Sequence, residues 1–372
     1  MRILRVVSDL YPMVVGGIGI HAHEMSKIQS EKGNDVTVIT FNSKKSPEPQ
    51  RNDYRIITIP VSLRVRGNSF SFFLPFRVWT EVGSADIVHA HSHLFFSTNI
   101  CALVRKFDTT PLVITNHGLM SASASDWFNI LYLKTIGRWT LNTADKILCY
   151  TDEEKDKLIR ILHIDELKIT VIPNGIDTDT FCPRVTDQDP DTITLLWVGR
   201  FVKGKGVEYV IRAMAVLSKE IPNLNLTLVG EGPEKKRICE LINDLGLQDN
   251  IRIIDFVPYD KIPGIYQDSD IFVLPSLHEG MPRTVLEAMS CGVPVVISDF
   301  SHLRDLVDGG GLMFPKRDVQ ALSDCLRNII KDTSIRAEMG QKARDKIVQE
   351  HSFMRTVVGT LEVYQEVIAH VN

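Results

Sequence analysis

The stretch DIFVLPSLHEGMPRTVLEAMSCGVPVVISD, residues 270–299, decides the fold. It opens on an apolar run, DIFVLPS, of strand length, closed by Pro275 and Ser276. A helical pattern follows, RTVLEAMSCG, with Gly292 as its stop and Pro294 just beyond. Pro282 suits the first helical position, where a missing N–H costs nothing. A second apolar run, PVVISD, closes the stretch. Strands that are apolar on both faces and separated by helices imply parallel sheets covered on both sides.

The same rhythm runs along the chain. RILRVVS, DVTVITF, RIITIPV, DIVHAHS, PLVITNHG, KILCYT and ITVIPNG are the strands of the first half, and TITLLWVG, NLTLVG and IRIIDFV join the two above in the second. Amphipathic stretches such as TDEEKDKLIRILH lie between them. Two doubly wound domains fit this better than one open sheet of a dozen strands. The break falls in FCPRVTDQDPDT, residues 181–192, polar and carrying two prolines. The expected division is a first domain over 1–182, a linker at 183–192, a second domain over 193–352, and a final helix at 353–372 that reaches back to the first domain. Before it, DVQALSDCLRNII and SIRAEMGQKARDKIVQE add two more helices.

Composition narrows the class. With 372 residues, two domains are the default, and 44% hydrophobic with 24% charged residues is ordinary for a globular protein. Lys plus Arg is 42 against 46 Asp plus Glu, a net charge of −4, so no nucleic-acid partner is expected. The six cysteines lie far apart without a CxxC pair, which reads as reduced thiols in a cytoplasmic protein. No apolar run reaches the ~18 residues of a membrane span. MRILRVVSDLYP carries charges within its apolar run and is read as a first strand, not a signal peptide.

In open parallel sheets ligands bind at the carboxyl ends of the strands, and several polar turns sit there. The amides of Arg283, Thr284 and Val285, at the mouth of a helix, form an anion site. Glu279 before that helix and Glu287 within it stand where carboxylates would take hydroxyls on either side of a bound phosphate. The plainer alternative is a capping Glu and a surface Glu. VGRFVKGKG, residues 198–206, places Arg200 and Lys205 in a strand-end turn suited to a diphosphate, although taken alone solvated loop charges are the better account. Its spacing is not that of the NTPase P-loop. VVGGIG offers Gly16, Gly17 and Gly19 for close backbone approach, but Ala22 stands where a third spaced glycine belongs, so a dinucleotide site is disfavoured. TNHG, residues 115–118, puts His117 at a strand end, where it would donate to a sugar hydroxyl or stabilise charge.

Other features carry less. HAHSH sets His89, His91 and His93 at alternate positions, hence on one strand face. Regular strand geometry does not bring three rings to one metal, and no Asp or Cys accompanies them. The DxD triplets 177–179, 187–189, 189–191 and 268–270 read as turn chemistry. RVRGNSFSFFLPFRVW, residues 64–79, interleaves Arg with Phe and Trp. It reads either as a loop and helix covering the first sheet or as a contact with an acidic membrane surface.

In order along nearly the whole chain, the GGIG turn, HGL, VIPNGID, GRFVKGKG, LVGEGP and Glu279-x7-Glu287 followed by EAMSCGVPVV resemble the retaining GT-B glycosyltransferases, the large group 1, family four type that includes glycogen and sucrose-type synthases and phosphatidylinositol glycosyltransferases. The resemblance implies an α/β fold of GT-B architecture, with two doubly wound Rossmann-like parallel-sheet domains facing a central cleft. It implies transfer of a sugar from a UDP- or GDP-sugar, with retention of configuration and neither cofactor nor metal. Arg200 and Lys205 would grip the donor diphosphate, and the amides after Met281 and Pro282 its distal phosphate. Glu287 would hold the ribose, and Glu279 the transferred sugar. Gly16 and Gly17 would close on the diphosphate, His117 would lie near the reacting carbon, and Gly230, Glu231 and Pro233 near the base. EGMP stands where many members read EGFG, FSHLRD replaces a GG(I/L)PE segment, and the Arg-Leu-x-x-x-Lys-Gly pattern becomes Arg-Phe-Val-Lys-Gly-Lys-Gly, which bears on sugar identity rather than reaction class. VSDLYPMVVGGIGIHAHEMSKI with DIVHAHSH is similar to members acting on lipid-linked acceptors, implying peripheral contact with the cytoplasmic membrane face; a carbohydrate acceptor is the other option. Rival functions are a nucleotide-sugar epimerase on this architecture and a catalytically silent nucleotide-sugar binder.

Overall fold

The structure, a computed structural model, describes residues 1–14, 16–42, 54–65, 68–120, 126–184 and 192–371. The DxD triplets between 187 and 191, most of the expected linker, and Arg66 lie outside the described residues. The chain forms two compact units, Met1–Pro173 with Thr356–Asn372, and Asn174–Arg355.

The first unit holds a seven-stranded sheet of order β3-β2-β1-β6-β7-β8-β9. Its strands are β1 (Arg2–Val6), β2 (Asp35–Phe41), β3 (Arg55–Ile59), β6 (Ile87–His91), β7 (Leu112–Thr115), β8 (Lys146–Cys149) and β9 (Ile169–Val171), and every pairing is parallel. β4 (Leu63–Val65) and β5 (Asn68–Phe70) form a separate antiparallel hairpin. Around the sheet run α1 (Gly17–Glu31), α2 (Leu74–Val82), α3 (Phe96–Arg105), α4 (Asp126–Tyr132), α5 (Arg138–Thr143) and α6 (Asp152–Leu162), with a π-helical turn, Leu133–Gly137, joining α4 to α5. Strand periodicity divides the core. Leu4 and Val6 face the α2–α3 side, while Ile3 and Val7 face the other.

The second unit holds a six-stranded sheet of order β12-β11-β10-β13-β14-β15. Its strands are β10 (Ile193–Val198), β11 (Leu224–Val229), β12 (Ile251–Ile254), β13 (Ile271–Leu274), β14 (Val295–Ser298) and β15 (Gly311–Phe314), again all parallel. Helices α7 (Val207–Leu217), α8 (Lys235–Asp244), α9 (Ile262–Gln267), α10 (Arg283–Ser290), α11 (Arg304–Val307), α12 (Val319–Lys331) and α13 (Thr333–Glu350) cover it. All four residues of β13 and of β14 are buried, as their apolar runs require. Asp318 and Asp332 cap α12 and α13 by accepting main-chain N–H bonds.

Strand β15 was not among the expected strands. Its glycines are there for packing: a Cβ on Gly311 would lie 2.2 Å from Val295 O. The units part at Pro173 rather than at 182, because Ile176 and Phe181 are buried in the second core and Ile176 exchanges backbone bonds with His351 and Phe353. The last helix, α14 (Phe353–Val371), belongs to the first unit, packing Val363, Tyr364 and Val367 beside Ile3, Val38 and Val113.

Candidate functional site

In each sheet the strand order reverses about its first strand, at β1/β6 and at β10/β13. Crevices outside the carboxyl ends at such switch points are where open α/β sheets take ligands. In the second unit, three turns meet there. Gly199 and Arg200 follow β10, Gly230 to Pro233 follow β11, and Pro275 to Glu279 follow β13. Glycine makes their close approach feasible. A Cβ on Gly230 (φ +142°) would lie 1.8 Å from Gly199 O, and one on Gly206 (φ +63°) 2.0 Å from Pro275 O. Leu277 N donates to Gly204 O at 2.8 Å, locking the β10 and β13 turns together.

That lock delivers Lys205 Nζ to 2.7 Å from Glu279 Oε1, with the Glu279 side chain 9% exposed. Arg200 is exposed and makes no ion pair among the described residues. Glu231 and Pro233 are exposed on the β11 turn, where Glu231 O accepts from Phe201 N. Met281 packs against the core below the β13 turn.

The helix mouth differs in detail from expectation. Pro282 is the cap residue with an extended ψ of 113°, not the first helical residue, and no side chain caps α10. Val285 N turns back to Pro282 O at 3.1 Å, so its amide is not open to an anion as expected. Glu287 is not a surface residue. It is 5% exposed, accepts from Tyr266 Oη at 2.8 Å and lies 3.6 Å from Arg283 Nε. Arg283 in turn donates to Tyr259 Oη at 2.7 Å. Burial and the Glu287 charge together push the Tyr266 phenol well above its ordinary range, so Tyr266 remains a donor. Ser276, fully buried at the end of β13, has an Oγ without a hydrogen-bond partner, and nothing in its sequence context marked it.

In the first unit the glycine turn follows β1. Gly16 is extended, at φ −171°, and has open space at its Cβ position. Gly17 begins α1 and is exposed. The glycine needed for packing is Gly19, whose Cβ would sit 3.0 Å from Asp9 O. The three histidines of HAHSH do not share one face. His89 and His91 close β6 with ring centroids 4.4 Å apart, but Ser92 takes φ +62° and turns His93 aside to Asn116, 2.8 Å away. His117 is held on both nitrogens, by His91 Nδ1 at 3.1 Å and Tyr150 Oη at 3.0 Å, and His21 packs edge-on to it.

Below this array Arg5 is fully buried, bonded to Ser26 Oγ at 2.6 Å and Gln29 Oε1 at 2.7 Å, and near Tyr364 Oη and His89. Burial, then the Arg5 charge, drives His89 well below the usual imidazole range. Burial, then His89, does the same to His91. Burial lowers His93 to about 4. All three are neutral at pH 7.

Glu154 was missed. It accepts from the side chain of Asn116 and from Tyr150 N, so one carboxylate grips the residue before His117 and the tyrosine that bonds it. Burial raises this carboxyl to about 7. The signal was in the sequence, since Thr151-x-x-Glu154 is a capping-box spacing and Thr151 Oγ1 indeed accepts from Glu154 N.

The described DxD triplets are structural. Asp177 accepts the N–H bonds of Asp179 and Thr180, Asp268 pairs with Arg184, and Asp270 accepts from Thr194 N. Among the described residues no three His, Cys, Asp or Glu side chains are grouped to hold a metal ion.

Residues 180–346 match the family described as glycosyl transferases group 1, and residues 15–180 match glycosyltransferase family 4. The chain is 25% identical to a glycogen synthase of Mycobacterium tuberculosis (strain ATCC 25618 / H37Rv), over 98% of this chain and 94% of that one. It is 21% identical to the phosphatidylinositol N-acetylglucosaminyltransferase gpi3 subunit of Schizosaccharomyces pombe, over 99% and 81%. A sucrose-phosphate synthase from Thermosynechococcus elongatus has the same fold, with a TM-score of 0.84 at 20% identity and 100% coverage of both chains. With both halves matched and two Rossmann-like parallel sheets whose strand order reverses at a switch point, the chain belongs to the GT-B nucleotide-sugar glycosyltransferases of the group 1 and family 4 type.

Proposed function

We propose that this protein is a metal-independent hexosyltransferase that moves a sugar from a UDP- or GDP-sugar to a hydroxyl of a lipid-linked or carbohydrate acceptor, with retention of anomeric configuration. The observation that carries this reading is the joining of Lys205 to Glu279 at the β10/β13 switch point, beside the uncapped mouth of α10. Cations and helix-mouth amides there suit a leaving diphosphate, whose charge grows as the glycosidic bond breaks. In this reading Arg200 and Lys205 take the diphosphate, and the amides of Arg283 and Thr284 its distal phosphate. Glu279 reads the hydroxyls of the transferred sugar. Glu287, held by Tyr266 and Arg283, takes the ribose, with Gly230, Glu231 and Pro233 beside the base. The first unit's own contribution to this reading is His117 and the Gly16–Gly17 turn, both beyond the carboxyl ends of its strands.

The S. pombe relative's name specifies phosphatidylinositol and the mycobacterial one glycogen, so both acceptor classes have precedent in the family. A lipid-linked acceptor places the protein at the periphery of the cytoplasmic membrane face. No helix among the described residues is long and apolar enough to cross a membrane.

The test uses purified protein, a panel of nucleotide sugars and candidate acceptors in the presence of a chelator. Thermal stabilisation selects the donor. Proton NMR of the product then reports the anomeric configuration, which is expected to match that of the donor and to be lost as product in Glu279→Gln. An inverted product overturns retention. Donor converted without acceptor identifies an epimerase, and binding without turnover a silent binder.

A further inference from the structure

Glu154 of α6 holds three residues that surround His117. Its Oε1 accepts from Asn116 Nδ2 at 2.5 Å, and its Oε2 from Tyr150 N at 2.9 Å. The backbone N–H of Gly118 favours the charged carboxylate as well. Asn116 precedes His117 and Gly118 follows it, while Tyr150 Oη lies 3.0 Å from His117 Nδ1. Asn116 is fully buried and is held from its other end, where Oδ1 meets His93 Nδ1 at 2.8 Å. Gly118 takes φ +109°, a conformation that suits glycine alone.

Helix capping does not account for these contacts. In a capping box the carboxylate returns to the backbone N–H of the cap residue, here Thr151. The Glu154 carboxylate instead reaches Tyr150 N, one residue earlier, and gives its other oxygen to the turn after β7. Stability does not account for them either. Burial raises the carboxyl to about 7 against the pull of its donors, so the charged form is a burden on the fold at neutral pH. What a carboxylate alone supplies is acceptors on both oxygens. A glutamine, or the protonated acid, would turn a donor toward one of the N–H groups that converge there.

We propose that Glu154 is the positioning residue of His117, fixing the ring by holding Asn116, Gly118 and Tyr150 around it. The consequence for transfer rests on the functional reading above, in which His117 belongs to the site; the holding of the ring does not.

The groups around the carboxylate leave Glu154 to set the pH response of these contacts. Lys157 of α6 is paired with Glu153 at 2.6 Å. Burial raises the thiol of Cys149, at the end of β8, and lowers the imidazole of His93 behind Asn116 to about 4, so neither changes charge near pH 7. Tyr150 and His117 are the remaining titratable neighbours.

The experiment follows release of UDP or GDP from UDP-glucose and GDP-mannose by the full chain. Wild-type kcat should rise as pH rises through about 7, the range in which the carboxylate forms. Glu154→Gln should lack that rise and lower kcat about tenfold or more, the scale on which small misplacements at a reacting centre act. Calorimetric binding of bare UDP or GDP should be unchanged. Added to His117→Ala, the same substitution should cost nothing further, because it acts through the missing ring. Thr151→Val removes the helix cap but none of the three contacts, so it should lower the melting temperature and leave the pH profile as in wild type. Wild-type kcat in Glu154→Gln, an equal further loss in the His117→Ala background, or a Thr151→Val profile that copies Glu154→Gln overturns the proposal. NMR of the Gly118 amide and the His117 ring gives a readout without substrate. Both signals should move or broaden in Glu154→Gln, and unchanged signals overturn the proposal whatever the activity. Full kcat in His117→Ala would instead sink the functional reading of His117 and leave the holding of the ring to the NMR result.

Discussion

Replacing Lys205 with Met should remove more than one hydrogen bond from the diphosphate site, and part of the loss should be recoverable. The ammonium lies 2.7 Å from Glu279 Oε1, and the carboxylate is 9% exposed. A charge-assisted bond to phosphate is worth about 1.5–3 kcal/mol, so its loss alone weakens nucleoside diphosphate binding roughly 10- to 150-fold. The substitution also leaves Glu279 un-neutralised beside an incoming anion. At an effective dielectric constant of about 20, a carboxylate and a phosphate oxygen about 6 Å apart repel by roughly 3 kcal/mol. Screening at a partly open site reduces this to about 1 kcal/mol, or about fivefold. The double variant Lys205→Met, Glu279→Gln should therefore bind UDP or GDP about fivefold more tightly than Lys205→Met. Glu279→Gln alone should bind them as well as wild type. Isothermal titration calorimetry with the bare diphosphates is the right assay, because without a sugar the other role of Glu279 is silent. If the double variant binds no better than the single one, or if Glu279→Gln alone is as damaging as Lys205→Met, the phosphate assignment of Lys205 is wrong.

Gly230→Ala sets a Cβ 1.8 Å from a backbone oxygen at φ +142°, and should cost about 3 kcal/mol or more in urea denaturation, where a change below about 1 kcal/mol would contradict the packing argument. Tyr266→Phe removes a 2.8 Å donor from the buried Glu287, and should lower stability by about 1–3 kcal/mol while raising the Kd for UDP or GDP severalfold; a thermal melt and the same calorimetry check both. Glu154 carries a carboxyl raised to about 7 from its ordinary value of 4.5, so between those pH values the folded state holds more protons than the unfolded one. Stability then falls as pH rises through that window, and Glu154→Gln should flatten the fall in unfolding free energies measured at intervals across it. An unchanged slope would place the proton elsewhere.

The doubly wound architecture was legible because its strands are buried on both faces, leaving the uninterrupted apolar runs of β13 and β14. Where that logic lapsed, the reading lapsed. β4 is only three residues long and fully exposed, so no buried apolar run marked it, and β15 opens on a glycine demanded by the Val295 carbonyl. In the candidate site, residue types and strand-end positions were readable, but partnerships were not. Lys205 and Glu279 are 74 residues apart, and what joins them is the fit of Gly206 against Pro275 O. The burial of Glu287 depends on Tyr266 from a different helix. The histidine array was misread because one backbone torsion, at Ser92, breaks the alternation that strand geometry would impose on His93. Long-range pairings and single left-handed residues leave little trace in a local pattern, whereas the Thr151–Glu154 spacing did leave one.

The two switch points differ in charge, and this bears on the division of labour between the units. At the second unit's crevice the groups are ionic: Lys205 with Glu279, Arg283 with Glu287, and an exposed Arg200. At the first unit's crevice the imidazoles of His89, His91 and His93 are held neutral by burial. A neutral imidazole donates from one nitrogen and accepts at the other, so these fully buried rings can pass hydrogen bonds on toward His117 without adding charge. An imidazolium could only donate. Arg5 strengthens this arrangement, since its hydrogen-bond partners Ser26, Gln29, His89 and Tyr364 are all neutral, and its charge, in no ion pair among the described residues, disfavours protonation of the ring beside it. A carboxylate placed next to Arg5 would cancel that effect and let His89 charge. On the reading proposed above, a buried arginine in no ion pair among the described residues keeps the first unit's histidine array neutral, whereas the ionic groups of the second unit are those assigned to the phosphates.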